Sequence, residues 1–269
     1  MTTLQLFAAC VAIWGSTWLA ITFQLGSVAP EASVFYRFLL ASALLFAWCL
    51  ARGLPLRFPR REHLWIAFQG VLMFSVSYVA VYYAEQHVVS GLVAVGYSAS
   101  PFLNMIGMRL VYGSPMTLRV ATGAALGIAG IALVFWPEFS HLRADGNVAL
   151  GAFFTMAAVV LSVFANLVAH RNHEAGHPVW QSMAWGMLYG AVFTLAIALA
   201  LGRPLGFEAT PAYVLSLLYL AVFGSILAFG SFLTLMGRVG AARAGYIGVM
   251  VPIVALAVSS VFEGYRWEM

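Results

Sequence analysis

The sequence predicts an all-α integral membrane protein, built as an inverted repeat of two five-helix units (5+5). Nine spans are present in the chain and a tenth is expected but missing. Three observations predict this. Apolar residues make up 63% of the chain and charged residues only 8%, with a mean hydropathy of +0.93, whereas a soluble domain carries about 25% charged residues. Successive apolar runs each reach the about 20 residues that a helix needs to cross hydrocarbon. Two of these runs carry a proline at matching mid-membrane positions.

The runs fall near residues 4–24, 31–51, 63–84, 88–111, 117–136, 147–169, 178–201, 211–236 and 240–262. Turn-forming residues mark the joints: Pro30, Gly53 and Pro55, Gly113 and Pro115, Pro137, Gly176 and Pro178, Gly202 and Pro204. All the basic residues are arginines. With the N-terminus in the cytoplasm, Arg52, Arg57, Arg60, Arg61, Arg109, Arg119, Arg171, Arg238 and Arg243 lie on the inner side. Only Arg143, Arg203 and Arg266 lie outside, which is the positive-inside pattern. The arginines sit in short loops, so the net charge of +4 does not indicate nucleic-acid binding. Cys10 and Cys49 lie inside apolar runs and build neither a disulfide framework nor a metal motif. The first run lacks a basic leader region and continues at full span length, so no cleavable signal is expected.

A shift of 151 residues superposes Val88 on Val239, Pro101 on Pro252 and Gly113 on Gly264; Pro30 likewise matches Pro178. Each matched span opens with small residues, carries a tyrosine (Tyr97, Tyr246), breaks at its proline and exits at glycine. The units are 1–137 (spans 1 to 5) and 146–269 (spans 6 to 9). An odd number of crossings inverts the second unit, and such repeats are typical of secondary transporters.

The stretches VGAARAGYIGVMVPIVALAVSSVFEG (239–264) and VVSGLVAVGYSASPFLNMI (88–106) carry a family pattern, as do IWGSTWLAI (13–21) and PEASVFYRFLLA (30–41) with Arg37. Through them the chain resembles the drug/metabolite transporter superfamily of EamA type, and among its members the aromatic amino acid exporters. The resemblance implies ten spans in two inverted halves, export of amino acids and other metabolites, and a multi-pass location in a bacterial inner membrane. Tyr112 departs from the pattern where many members have a glutamate; Glu263 fills that place in the second half.

The expected substrate cavity is ringed by Trp14, Trp18, Tyr78, Tyr82, Tyr97, Phe164, Trp185, Tyr189, Phe229 and Tyr246. Pairs four residues apart share a helix face, and the repeat shift sets Tyr78 opposite Phe229 and Trp18 near Phe164. Aromatic rings suit apolar amino acids and contribute cation–π attraction to an amino group, although rings also fill helix interfaces and membrane-surface belts. Arg37 is the one charge deep in a predicted span; it either contacts a substrate carboxylate or anchors its helix by reaching for the outer interface. Gly96, Pro101, Gly248 and Pro252 are the expected breaks and gating points. Gly123, Gly127 and Gly130 give the fifth span a small-residue packing face.

No carboxylate lies in the middle of any span, which argues against drug/proton exchange of the small four-helix kind. A drug or quaternary-cation exporter of the same fold remains the alternative. A channel is disfavoured by the lack of polar rings. The partners expected are the bilayer and a small-molecule substrate, with no nucleic acid, in a monomer or else a dimer.

One motif competes. His173-Glu174-Ala175-Gly176-His177 spells H-E-x-x-H, the zinc signature of metalloproteases. Pro178 follows directly, and a residue before proline is pushed out of helical torsions. The two histidines are therefore expected to leave a common face, in a loop between spans six and seven. No metal, no cofactor and no catalytic residue is expected; the chain is not read as an enzyme.

Overall fold

Thr2 accepts from the backbone N–H of Gln5 while Gln5 reaches back to Thr2, a capping box that starts the first helix at the edge of the apolar run. The computed structural model describes residues 1–115 and 146–263, with positions 122, 123, 126, 129, 130 and 133 between them. The expected fifth span, with Gly127 of its small-residue face, lies outside the described residues apart from those isolated positions, as does the chain from Gly264 onward.

Every regular element among the described residues is helical. In chain order they are α1 (Thr3–Thr22), α2 (Pro30–Ala51), α3 (Arg60–Val71), α4 (Ser77–Glu85), α5 (Ser90–Gly96), α6 (Ser100–Tyr112), α7 (Gly146–Glu174), α8 (Val179–Ala200), α9 (Pro211–Tyr219), α10 (Ala228–Val239), α11 (Ala241–Ala244) and α12 (Ile247–Phe262). Prolines start α2 and α9, where the missing N–H is harmless, and Thr210 caps α9 by accepting from Tyr213 N–H. A π-turn at Leu72–Val76 joins α3 to α4, and a longer one at Leu220–Leu227 joins α9 to α10, so each pair forms one rod. Among the described residues six helices or rods are long and apolar enough to cross a membrane. The stretches 90–112 and 241–262 reach that length only as broken pairs of segments. A membrane helix is tolerated with such a break where protein or a watery cavity serves the freed backbone groups.

The contacts pair off when spans 1 to 4 are exchanged with spans 6 to 9. α1 packs on α12 as α7 packs on α5 and α6; α1 packs on α10 as α7 packs on α3 and α4. α3 packs on α8 as α2 packs on the second π-turn, and α2 with α8 forms the central contact. The closest approach is backbone to backbone. A Cβ added to Gly70 of α3 would stand 2.1 Å from the Gly186 carbonyl oxygen of α8, and one added to Gly190 would stand 2.8 Å from the Gly70 oxygen. Glycines at such crossings let membrane helices pack without side chains between them.

The breaks differ in kind. In the fourth span a 3₁₀ turn at Tyr97–Ala99 separates α5 from α6, and Pro101 sits in the first turn of α6. In the ninth span the interruption is a turn at Gly245 and Tyr246, and Pro252 lies inside the continuous α12. The expected break at Pro252 is thus displaced by about two helical turns, to the glycine that follows α11. The broken spans cross at that level: a Cβ on Gly248 would meet Ser100 Oγ at 3.0 Å and the Tyr97 carbonyl oxygen at 3.3 Å.

Candidate substrate cavity

The π-turn in the α9–α10 rod places Gly224 and Ser225 against α1 and α2. An i→i+5 turn frees a carbonyl from the helical ladder, and the Gly224 oxygen takes a hydrogen bond from Trp14 Nε1 at 3.2 Å. The tryptophan is thereby fixed with its ring toward the interior, edge-on to Phe229 at 5.1 Å and tilted against Phe232 at 5.3 Å. Tyr78 continues the wall, 6.1 Å from Phe229, and Trp18 closes on Tyr97 at 5.2 Å.

These rings bound a cavity of about 120 Å³, several times the about 10–15 Å³ that one water needs. Trp14, Thr17, Trp18, Arg37, Tyr78, Tyr97, Phe229 and Phe232 line one part of it. Ser100, Asn104, Ser162 and Asn166 line another, with the α11–α12 turn beside them. Asn166 Nδ2 donates to Asn104 Oδ1 at 3.3 Å, and Tyr97 and Ser162 share a hydrogen bond of 3.2 Å. An apolar body with a few convergent polar groups is the usual make-up of a small-molecule site.

Among the described residues, Arg37 is the only formally charged one in the lining. It does not reach for an interface: its side chain is 1% exposed. Nε donates to Ser225 Oγ at 3.0 Å, and the guanidinium lies 4.5 Å from the Tyr78 ring centre and 5.2 Å from that of Phe38. Nη1 has no hydrogen-bond partner. A buried cationic donor without an acceptor is costly, so this nitrogen is where an anionic group gains most.

Five of the ten rings singled out in the sequence meet here: Trp14, Trp18, Tyr78, Tyr97 and Phe229. The others lie elsewhere. Tyr82 is buried and donates to Gln24 Oε1 at 2.8 Å. Phe164 is 54% exposed and Tyr246 62% exposed; neither lines the cavity. Trp185 stacks on Tyr189 and holds the Leu56 carbonyl, while Tyr189 pairs with His63 at 2.8 Å. Phe232, Asn104 and Asn166 were missed. The two asparagines carry a signal, since an amide inside an apolar run points to a protein interior rather than lipid; Phe232 carries none.

The H-E-x-x-H residues disperse. Gly176 has φ +76° and ends α7 before His177. His177 Nε2 pairs with Glu62 at 2.9 Å, and Glu62 also accepts from Nη1 and Nη2 of Arg171. His173 packs on Gly237 instead. Among the described residues no group of three His, Cys, Asp or Glu side chains could hold a metal.

A comparison with known families matches residues 1–136 and 149–268 to the EamA-like transporter family. The chain belongs to the EamA-like transporter family. An uncharacterized inner membrane transporter, YedA of Escherichia coli K12, is 30% identical over 97% of this chain and 84% of its own length. Protein PecM of Dickeya dadantii is 26% identical over 95% and 82%. A solved structure described only as "Crystal structure of protein" superposes with a TM-score of 0.72 at 19% identity, covering 99% of this chain and 90% of that one; it supports the fold alone. The EamA-like chain is therefore a membrane transporter by family, and its cavity is read in that light.

Proposed function

We propose that this EamA-like transporter exports amino acids, aromatic and other apolar ones, together with related small metabolites, across the bacterial inner membrane by alternating access. The observation that carries the reading is the unpaired Nη1 of Arg37 inside an aromatic cavity. A substrate carboxylate supplies the acceptor that Nη1 lacks, the rings of Trp14, Trp18 and Phe229 take its apolar side chain, and the Asn104–Asn166 amides offer oxygen to its ammonium group. The units 1–137 and 146–269 rock about this point with the N-terminus in the cytoplasm; the pairwise exchange of inter-half contacts supports two related states. The broken spans at Tyr97–Ala99 and Gly245–Tyr246 are the elements that bend.

The test is counterflow in proteoliposomes loaded with unlabelled phenylalanine, tryptophan or leucine. Saturable accumulation of label with cross-competition is expected, and accumulation at background for every amino acid tried overturns the reading. Zinc chelation and Glu174→Gln are expected to leave it unchanged, since a peptidase would lose activity with either. Aromatic walls also suit a quaternary cation. The positive Arg37 opposes one, so a quaternary ammonium compound is expected to compete poorly.

A further inference from the structure

The loop between α2 and α3 gathers Arg52, Arg57, Arg60 and Arg61 within residues 52–61, all of them exposed. Among the described residues none of these side chains makes a hydrogen bond or an ion pair. Other arginines expected on the same side are engaged within the chain. Arg109 donates to the Gly113 and Ser114 carbonyls at 3.3 and 3.5 Å, Arg238 to the Met1 carbonyl at 2.9 Å, and Arg171 to Glu62. Glu62 follows Arg60 and Arg61 directly, yet Arg171 and His177 already hold it. The loop's like charges are thus crowded together without a counter-charge from the protein.

The backbone that carries them is fixed. Gly53 takes φ +63° after the end of α2, and Leu54 N–H donates to the Cys49 carbonyl at 2.9 Å. Trp185 Nε1 of α8 donates to the Leu56 carbonyl at 2.9 Å. Its ring meets Phe46 of α2 and His63 of α3 edge-on, at 5.0 and 4.9 Å. Phe58 packs on His63 and His177 at 5.9 and 5.4 Å, and Pro55 and Pro59 stiffen the remainder. The arginines between these anchors stay free. The face that continues from Arg60 is apolar: Leu64 and Phe68 follow it at helical spacing, 72% and 50% exposed. That face belongs to a rod long and apolar enough to cross a membrane.

We propose that this loop is a docking surface for an anionic phospholipid of the bilayer. The lipid phosphate supplies the missing counter-charge among the arginines, and its acyl chains lie along Leu64 and Phe68. Clusters of roughly four or more basic residues beside a membrane helix attract anionic head groups, and guanidinium forks match phosphate oxygens in pairs. A free phosphate or a soluble polyanion satisfies the arginines but has no use for Leu64 and Phe68. A lipid fits both. The arginines are exposed, so the attraction is screened by salt. The bound lipid holds the α2–α3 loop at the membrane surface, and with it the Leu56–Trp185 contact to α8.

The test is native mass spectrometry of the purified transporter with added phosphatidylglycerol or phosphatidylcholine. The anionic lipid should be retained and the zwitterionic one shed, with retention falling as salt rises. Arg60→Gln with Arg61→Gln should weaken retention about tenfold or more. Arg109→Gln with Arg243→Gln removes the same charge from α6 and α11 and should leave retention near the parent's. A second measurement keeps every arginine. A photo-crosslinking residue at Leu64, in proteoliposomes of both lipids, should capture phosphatidylglycerol several-fold ahead. One at Leu199, 62% exposed near the other end of α8, should show no preference. Equal retention of the two lipids, equal effects of the two double changes, full competition by inorganic phosphate, or the same capture at Leu64 and Leu199 would each overturn the proposal. No substrate takes part, so background counterflow would sink the transport reading and leave this one standing.

Discussion

Arg37 of the second span donates from Nε to Ser225 Oγ, 3.0 Å away in the π-turn of the eighth. Ser225 in turn donates to the Leu220 carbonyl at 3.0 Å, five residues back. The π-turn therefore helps to aim the guanidinium: Nε is held by Ser225, and Nη1 is buried without a hydrogen-bond partner. Ser225→Ala should leave the fold intact and remove this restraint. A hydrogen bond to a charged group is worth about 1.5–3 kcal/mol, so the apparent affinity for a carboxylate substrate should fall about tenfold or more. Arg37→Lys should not rescue the site, because an ammonium lacks the planar fork that Ser225 and a carboxylate engage together. Competition by amino acids against their decarboxylated amines measures both effects; an unchanged ratio in Arg37→Lys would falsify the carboxylate contact.

Gly224 and Gly70 make opposite predictions for one kind of change. A Cβ on Gly224 would lie 2.9 Å from Thr17 Cγ2 and 3.1 Å from Arg37 Nη2. Both are side-chain ends that can shift. Gly224→Ala should fold and lose transport as the guanidinium is displaced. A Cβ on Gly70 meets the Gly186 backbone at 2.1 Å, which no rotamer relieves. Gly70→Ala should force α3 off α8 and abolish the monodisperse peak in size-exclusion chromatography.

The outline of the bundle was legible because its boundaries are local chemistry. Pro30, Pro178 and Pro211 stand at or next to the first residue of their helices, and the Tyr78–Phe229 contact follows from the repeat shift. What escaped depends on tertiary packing. The π-turns at 72–76 and 220–227 leave no compositional mark, yet the second one sets Arg37 and Trp14. Pro252 reads as a break, but its helix continues and the chain turns at Gly245 instead. Trp185 and Tyr189 share a face as their spacing requires, yet the face meets His63 rather than the cavity. Glu31 and Glu85 lie at span ends, where the sequence gives no sign that a carboxylate is buried.

His177 lies in the loop after α7, with Nε2 on Glu62 and Nδ1 buried without a partner. Burial holds its imidazole below the ordinary range, against the opposing pull of Glu62. The folded state thus binds the proton less readily than the unfolded chain, whose histidine titrates near about 6.5. The neutral side chain's contribution is complete above that pH and is lost as pH falls through it and the lower folded value. Melting in detergent should drop between about pH 7 and pH 5, and His177→Gln should flatten that slope. An equally steep slope in the variant would assign the loss to other groups.

Asn104 and Asn166 face each other across the cavity from the fourth and sixth spans, 3.3 Å apart. Interhelical polar contacts in membranes average about 0.6 kcal/mol, reaching about 1.7, so the pair is not chiefly a structural clamp. Leaving one amide unpaired in an apolar wall should change what the wall accepts more than whether the bundle folds. Asn166→Leu is therefore expected to fold and to retain counterflow of leucine or phenylalanine. Flux of amino acids with polar side chains should fall several-fold more, because the replaced amide removes both a donor and an acceptor. Adding Asn104→Leu should cost less than it does alone, since the partner is already gone. Equal losses for polar and apolar substrates, with additive single changes, would mean that the amides act only through packing.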